Sequence, residues 1–574
     1  FKKVSRASML STLAVVICVE MFVGTLLNTT ALNDDVIFSP KYTKADGSGL
    51  EGYDNYLDKY RVMVNAVQAT DDSFYRMEKY DLRKYDDNFA FAMRGTTGST
   101  STLNAKTIKF LNRLGYISQS NISSNKGATS VSNTLLGIKY YITITNQDTS
   151  GENSYYLTAY PVDMEGVEGT TNMYLYDEGL AIYSYLNEYA LSLAYASSGD
   201  LKNFNITEST SPFVTMNKLI TAILGEKETV KVFKELPYDF EYNGNTTEYS
   251  SSEYSETLYD IYGDPIYKLD KDGNIQYNQD GKPVYEKDTT LYHTFKSIST
   301  DGTKMEIVFN FTMPEGVDDT TEVLFKLPTK YSRQCTWKFI AEDGEEKTGS
   351  CFVDDDKTDC ILSLGKVPAG KKGTLTLTVK GDDDASTTDY LYIDCDEDNG
   401  IFYYVDKELY KDTMTTLAEG NFEIEEYTES YFKGKINATE GRTSVFTSIP
   451  YEEHWKVKVD GKEVETYMTC AALVGFDLGS EGEHTVEIEY RSAPLRNGLI
   501  ITSIGLVLFI GWAILDTVFF RKKRLANATL DYTCLSEGDY QSDEYDDEIA
   551  GKLKAQRLRE QKLLQKQMWK KKRK

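Results

Sequence analysis

Two apolar stretches, each flanked by positive charge, limit what this chain can become. They are residues 7–27, ASMLSTLAVVICVEMFVGTLL, and residues 498–520, GLIITSIGLVLFIGWAILDTVFF. About 20 apolar residues in a helix cross the hydrocarbon core of a bilayer. Lys2, Lys3 and Arg6 precede the first stretch, and Arg521, Lys522, Lys523 and Arg524 follow the second. Basic flanks stay on the cytoplasmic side, so both ends are expected inside and residues 30–496 outside. Residues 7–27 are expected to form a retained helix rather than a cleaved signal peptide. The apolar run is long, Glu20 interrupts it, and no small-residue cleavage site follows.

Charge narrows the function classes. The net charge is −26; residues 1–29 carry +2 and residues 521–574 carry +6, which leaves −34 between them. A surface of that sign repels nucleic acid, and no nucleic-acid partner is expected. The middle of a 574-residue chain exceeds one domain. Its 43 Tyr and 25 Phe against 11 Pro favour β-rich folding over disorder.

The expected organisation is a membrane-anchored α+β protein, with two transmembrane helices flanking an extracellular mixed α/β domain and β-sandwich-like domains. Residues 1–29 are the N-terminal flank and first span. Residues 30–225 form the mixed α/β domain, 226–400 a β-rich domain and 401–496 the β-sandwich-like domain. Residues 497–520 are the second span and 521–574 a cytoplasmic tail, first acidic and then basic.

Local patterns support this division. Tyr53, Tyr56, Leu57, Tyr60, Val64 and Val67 fall on one helical stripe. Residues 73–78 and 135–142 read as strands. Residues 104–114 and 212–224 read as helices stopped by Gly115 and Gly225. Beyond residue 226, Asp-Gly pairs at 272–273, 280–281, 301–302 and 343–344 mark hairpin turns. Residues 267–277 and 278–285 resemble each other, as tandem hairpins would. Asp270, Asp272 and Asp280 belong to those turns; their spacing does not make an EF-hand, and no metal site is expected. Further on, residues 443–449, 455–459 and 484–490 read as strands, with Asp460-Gly461 as a turn. The tail is acidic over 537–548. Residues 549–574 read as a basic helix whose Leu553, Leu558, Leu563, Leu564 and Trp569 either face membrane lipid or belong to a solvated tail.

Of the seven cysteines, Cys335, Cys351, Cys360, Cys395 and Cys470 lie in the expected outer region. An odd number cannot all pair. Cys335 and Cys351 flank the turn at Glu342-Asp343-Gly344, so a cross-strand disulfide is open beside a role as buried apolar residues. No CxxC or Cys/His spacing suggests zinc.

Several phrases carry a family resemblance. They are DSFYRMEKY around residues 73–78, SNTLLGIKYYI at 132–142, NEYALSLAY at 187–195 and residues 217–225. Ser448-Ile449-Pro450-Tyr451, WKVKVDGK at 455–462 and GEHTVEIEY at 482–490 then follow. In that order they resemble the YfhO family of bacterial membrane proteins, from about residue 70 to 510, more weakly between 226 and 390. The resemblance implies a GT-C-type glycosyltransferase. Such an enzyme moves sugar from a polyprenyl-phosphate donor to a cell-envelope polymer such as lipoteichoic acid. It also implies a catalytic carboxylate among upstream transmembrane helices. Only two spans are legible here and the chain opens on Phe1, so those N-terminal helices are expected in a longer protein. No catalytic residue is assigned.

Candidate site residues are few. Glu20 and Asp516 are the ionisable groups within the apolar stretches, and such groups are functional suspects. Their depths differ by more than a side chain's reach, so they are not expected to pair. Trp455 offers a ring face for an acceptor sugar, with core packing as its ordinary alternative. Arg76, beside Tyr75 and Glu78, offers a guanidinium for phosphate. His293, His454 and His484 are scattered without a nucleophile motif and are expected to be structural. The rival to the enzyme is a non-catalytic, two-span surface protein that binds envelope glycan or serves a structural role.

Overall fold

The computed structural model describes residues 6–35, 42–43, 50–51, 53–80, 85–119, 121–146, 155–177, 179–204, 206, 211–260, 264–271, 273–299, 303–327, 330–331, 335–342, 346–351, 361–379, 390–395, 400–517 and 553–562. Two compact units divide between Arg491 and Ser492. The chain is mostly β-sheet, with several helices.

In the first unit, α1 (Arg6–Asp35) contains the first apolar stretch. Helix α2 (Tyr53–Thr70) follows and buries Tyr56, Leu57, Tyr60, Val64 and Val67, the stripe expected from their spacing. It covers a sheet ordered Met173–Asp177, Leu180–Asn187, Ile138–Asn146, Arg76–Lys79, whose last pair is parallel. Between them come α3 (Asp87–Ala90), α4 (Ala105–Arg113) and α5 (Ser130–Leu135). Helix α6 (Pro212–Leu224) ends on Gly225 at φ +76°. Helix α4 is capped by Asn104, whose side chain accepts from the Lys106 and Thr107 N–H groups.

Two sequence expectations need correction here. Leu135 and Leu136 do not open the long strand; they end α5, and the strand begins at Ile138. The cause is local. Ser132 N–H donates to Thr129 Oγ1 and Thr129 N–H to Ser132 Oγ, a reciprocal cap that starts the helix. Gly137, at φ +72°, then turns the chain into the strand. The strand expected over 73–78 spans Arg76–Lys79 instead.

The central part is sheet on sheet. One sheet runs Tyr238–Tyr242, Met305–Thr312, Lys372–Val379, Cys335–Ala341, Glu346–Cys351; another runs Phe233–Glu235, Phe402–Val405, Glu322–Lys326, Ile361–Lys366. Their inner faces share a core that includes Phe309, Phe325, Phe339 and Phe402. Cys335 stands directly opposite Cys351 in this register.

Near the end of the unit, Phe422–Thr428, Tyr431–Ala438, Gly482–Tyr490, Trp455–Val459 and Lys462–Val464 form a five-stranded sheet. A four-stranded sheet packs on the same core. It is made of Ala194–Ser197, Ser444–Pro450, Leu473–Asp477 and Thr466–Thr469. In Gly482–Tyr490 the buried residues alternate as His484, Val486 and Ile488. Residues from 110 to 473 meet in one further core around Phe213, Tyr195, Tyr410 and Phe446. Helix α7 (Lys407–Ala418), capped by Asp406, packs there.

In the second unit, α8 (Ala493–Leu515) is long and apolar enough to cross a membrane. Among the described residues it is the one helix that meets this test; in α1 the apolar part is the shorter Leu13–Asn28. Residues 553–562 are helical. Asp272, the turns at 301–302 and 343–344, Cys360, Cys534, the basic flanks at Lys2, Lys3 and 521–524, the tail residues 537–548, and Leu563, Leu564 and Trp569 lie outside the described residues. So do the side chains of Tyr53, Cys351 and Cys395.

Candidate binding cavity

A cavity of about 330 Å³ lies in the first unit, where three parts of the chain meet. Helix α5 and the loop before it contribute Thr129, Ser130 and Asn133. The strand Ile138–Asn146 contributes Tyr141. Tyr155, Tyr156, Thr320, Glu322, Ser363, Lys366 and Lys407 complete the polar wall.

Ring faces dominate one side. Tyr141 and Tyr156 meet edge to face at 6.4 Å, and Tyr155 lies 5.4 Å from Tyr156 and 5.5 Å from Tyr410. Burial raises the hydroxyl pKa of Tyr141, Tyr155, Tyr156 and Tyr410 above the ordinary value. These phenols therefore stay neutral at physiological pH, where each donates and accepts hydrogen bonds.

The polar groups behind the wall are held in place. Tyr116 Oη and Asn125 Nδ2 both donate to Asn133 Oδ1, at 2.8 and 2.9 Å. Asn187 Nδ2 donates to Thr134 Oγ1 and Ile138 O, at 3.0 and 3.1 Å. Thr134 Oγ1 also pairs with Tyr410 Oη at 2.7 Å, and Ser130 Oγ pairs with Tyr155 Oη. Tyr141 Oη is buried without a hydrogen bond of ordinary geometry, although Tyr156 stands nearby. A buried hydroxyl left so is costly unless something else meets it. Lys407 Nζ is anchored by Asp318 Oδ1 at 2.7 Å and Thr320 Oγ1 at 2.5 Å, and sits 5.2 Å over the Tyr155 ring. Its hydrogen bond is the first cause holding the Asp318 carboxyl below the usual range.

The chemistry follows from this inventory. Neutral hydroxyls, one amide and ring faces suit a polyhydroxylated ligand: the rings stack on C–H faces and the hydroxyls exchange hydrogen bonds. Among the described residues no group of three His, Cys, Asp or Glu could hold a metal ion. Among the described residues Glu322 is the one carboxylate on the cavity wall, and Ser363 Oγ donates to it. General acid–base chemistry by a carboxylate pair is not built here.

The candidates taken from sequence are placed elsewhere. Arg76 opens its strand, and its guanidinium donates to Leu136 O at 2.6 Å, Ser448 Oγ at 2.7 Å and Ser448 O at 3.1 Å. Burial draws its pKa down to about 10, so it remains charged. It also lines a separate cavity of about 260 Å³ with Tyr75, Lys139 and Asn421. Trp455 begins its strand opposite Tyr490, rings 5.1 Å apart, half-buried against the β-sandwich core. Trp455 does not line the Arg76 cavity. Glu20 is exposed on α1 and Asp516 directly follows α8, in the two separate units. His484 Nδ1 binds Asp460 Oδ2 at 2.8 Å, and His293 Nδ1 pairs with Tyr249 Oη at 2.9 Å. Asp270 spends its side chain on the turn, accepting from the Asn274 N–H.

Sequence reasoning missed Tyr155, Tyr156 and Lys407, which carry no motif. It did contain Tyr80, Asn133, Tyr141 and Asn187, inside the phrases DSFYRMEKY, SNTLLGIKYYI and NEYALSLAY. Those phrases, far apart in the chain, converge on the cavity and the hydrogen bonds behind it.

Comparison with known proteins adds the family. The family described as bacterial membrane protein YfhO matches residues 1–502. No curated protein matches the chain. Among solved structures, TmCBM61 in complex with beta-1,4-galactotriose is similar at 9% identity. That match covers 29% of this chain and 87% of that one, with a TM-score of 0.16. The adhesin domain of Epf from Streptococcus pyogenes is similar at 8% identity, covering 45% and 87%, with a TM-score of 0.16. Vicilin from Solanum lycopersicum follows at 6%, covering 35% and 77%, with a TM-score of 0.10. At such scores the likeness carries no argument.

Proposed function

The chain belongs to the YfhO family of bacterial membrane proteins, and from that premise we propose that it is the acceptor-handling part of a membrane glycosyltransferase. Residues 30–496 lie outside the cell between two spans. The tyrosine-lined cavity holds a hydroxyl-bearing unit of a cell-envelope polymer such as lipoteichoic acid. Sugar comes from a polyprenyl-phosphate donor, and the general base comes from further transmembrane helices on the N-terminal side. The cavity contributes binding and orientation, which lower the entropic part of the barrier. Lys347, Lys366 and the Asp318-paired Lys407 outnumber Glu322 on the wall, a local positive balance in an acidic protein that suits an acceptor bearing phosphate. Trp455 and Arg76 remain secondary acceptor contacts, and Glu20 and Asp516 secondary candidates within the membrane.

The observation that carries this reading is the cavity itself: neutral phenols beside the fixed Asn133 amide, with Glu322 the one carboxylate among its described lining residues. The test is sugar transfer in proteoliposomes containing the native protein, a polyprenyl-phosphate sugar and the acceptor polymer. Asn133→Ala and Tyr141→Phe are expected to raise the acceptor KM about tenfold with kcat little changed. Unchanged KM in both variants sinks the cavity as acceptor site. Acceptor binding without any transfer favours the second reading, a non-catalytic surface glycan-binding protein.

A further inference from the structure

Strands Thr247–Thr257 and Lys287–Ser297 pair along their whole length, from Thr247 opposite Ser297 to Thr257 opposite Lys287. The described residues 258–260, 264–271 and 273–286 lie at the end of this hairpin and do not line the cavity. Three turns repeat there. Asp260 N–H donates to Asp264 O, Asp270 N–H to Asn274 O, and Asn278 N–H to Lys282 O. In each turn the first side chain accepts the last N–H: Asp264 N to Asp260 Oδ1, Asn274 N to Asp270 Oδ1 and Lys282 N to Asn278 Oδ1, all at 2.9 Å.

Between the turns the backbone closes on itself twice. Leu258 N–H donates to Glu286 O, Glu286 N–H to Ile266 O and Ile266 N–H to Leu258 O. Lys268 N–H donates to Val284 O, Val284 N–H to Gln276 O and Gln276 N–H to Lys268 O. Two stacked triangles of hydrogen bonds thus make a small prism with one turn at each corner. The backbone is satisfied internally, but so few residues enclose no core. Tyr259, Tyr267 and Tyr277 stay 41%, 42% and 63% exposed, and the Tyr267 ring lies 5.3 Å from that of Tyr285.

We propose that this arm is a glycan-holding surface, on which a neutral polysaccharide strand of the cell envelope lies across the exposed tyrosine rings. A planar ring with a hydroxyl edge matches the C–H face and hydroxyls of a pyranose. The threefold repeat matches a polymer that itself repeats, so weak contacts add through high local concentration. Charge narrows the class of strand. Residues 258–286 contain six Asp/Glu and three Lys, a net of −3, on a protein of net −26. That sign disfavours anionic lipid and polyphosphate polymers, and the exposed tyrosine rings with their hydroxyl edges, rather than charge, select a neutral glycan. The biological setting rests on the outward placement proposed above; the binding itself does not.

The test is co-sedimentation of the full chain, in detergent micelles, with chitin, an insoluble neutral polymer of N-acetylglucosamine. Two variants report on the arm. One combines Tyr259→Ser, Tyr267→Ser and Tyr277→Ser. The other replaces residues 258–286 with Asn-Gly, which closes the hairpin between Thr257 and Lys287 by a two-residue turn. Both are expected to keep the wild-type melting temperature within a few degrees and to lose at least about tenfold in apparent affinity. Wild-type binding by both variants overturns the proposal. So does failure of the wild type to sediment, or its preference for anionic phosphatidylglycerol vesicles. Asn133→Ala in the cavity is the comparison: a loss confined to it sinks the arm, whereas a loss confined to the arm variants supports the arm and leaves the cavity to the transfer assay above.

Discussion

Tyr141 and His484 show how a single side chain here divides stability from function. Removing the Tyr141 hydroxyl relieves a buried group that lacks a good partner in the free protein. Tyr141→Phe is therefore expected to leave the melting temperature unchanged or raise it by the equivalent of about 1 kcal/mol. The same change is expected to weaken acceptor binding, so calorimetry of unfolding and of binding should move in opposite directions. A clear loss of stability would mean that the hydroxyl is already satisfied within the protein. His484 behaves differently. Burial lowers its pKa, but the Asp460 carboxylate and the Ser480 carbonyl together outweigh burial and raise it above the ordinary value. A raised folded-state pKa stabilises fully below the unfolded value, and that stability is lost as pH rises through the folded value. The resistance of the wild type to thermal unfolding should fall as pH climbs upward from about 6.5, the ordinary histidine value. His484→Asn should flatten that slope and cost about 1–2 kcal/mol at pH 6, because two hydrogen bonds to the Asp460-Gly461 turn and the Ser480 loop are lost. A variant with the wild-type slope would assign the pH dependence to another group.

Gly137 controls how two elements meet. It joins α5 to the strand Ile138–Asn146 at φ +72°, and a Cβ there would lie 2.7 Å from Leu191 O. Neither the angle nor the contact can relax without moving backbone. Gly137→Ala is expected to cost about 2 kcal/mol or more in unfolding free energy and to disturb Asn133 and Tyr141 on either side. Acceptor affinity should fall with stability, unlike the result for Tyr141→Phe; wild-type affinity in Gly137→Ala would separate the cavity from this junction. The same junction explains what the sequence revealed and what it hid. The stripe of α2, the Gly225 stop and the alternation of His484, Val486 and Ile488 were legible because each depends on neighbours within a few residues. The start of the strand at Ile138 was not, because a hydroxyl cap three residues long overrode an apolar run. The cavity was half legible: Asn133 and Tyr141 sat in recognisable phrases, whereas Tyr155, Tyr156 and Lys407 join it only through tertiary packing. The repeat at residues 267–285 was visible, but its third turn and closed prism needed long-range backbone pairing.

For the molecule as a whole, the open quantity is whether residues 7–27 cross the membrane as α8 is suited to do. The stretch contains ten Leu, Ile, Val and Phe. At about −0.3 to −0.6 kcal/mol each, these favour insertion by roughly 3–6 kcal/mol. Glu20 opposes it by about 2.5–3.5 kcal/mol if charged near the middle. The balance lies near zero or modestly in favour, and Lys2, Lys3 and Arg6 favour a cytoplasmic start to the stretch. In right-side-out membrane vesicles, protease added outside should digest residues 30–496 while epitope tags at both ends survive. Glu20→Leu removes the opposing term and should leave that pattern unchanged. Adding two acidic residues to the N-terminal flank should instead leave it nearly intact, because orientation follows Lys and Arg rather than net charge. Replacing Lys2, Lys3 and Arg6 with Gln should expose the N-terminal tag in a measurable fraction of molecules. A wild-type tag placed before Lys2 and digested from outside would overturn the expected orientation of residues 7–27.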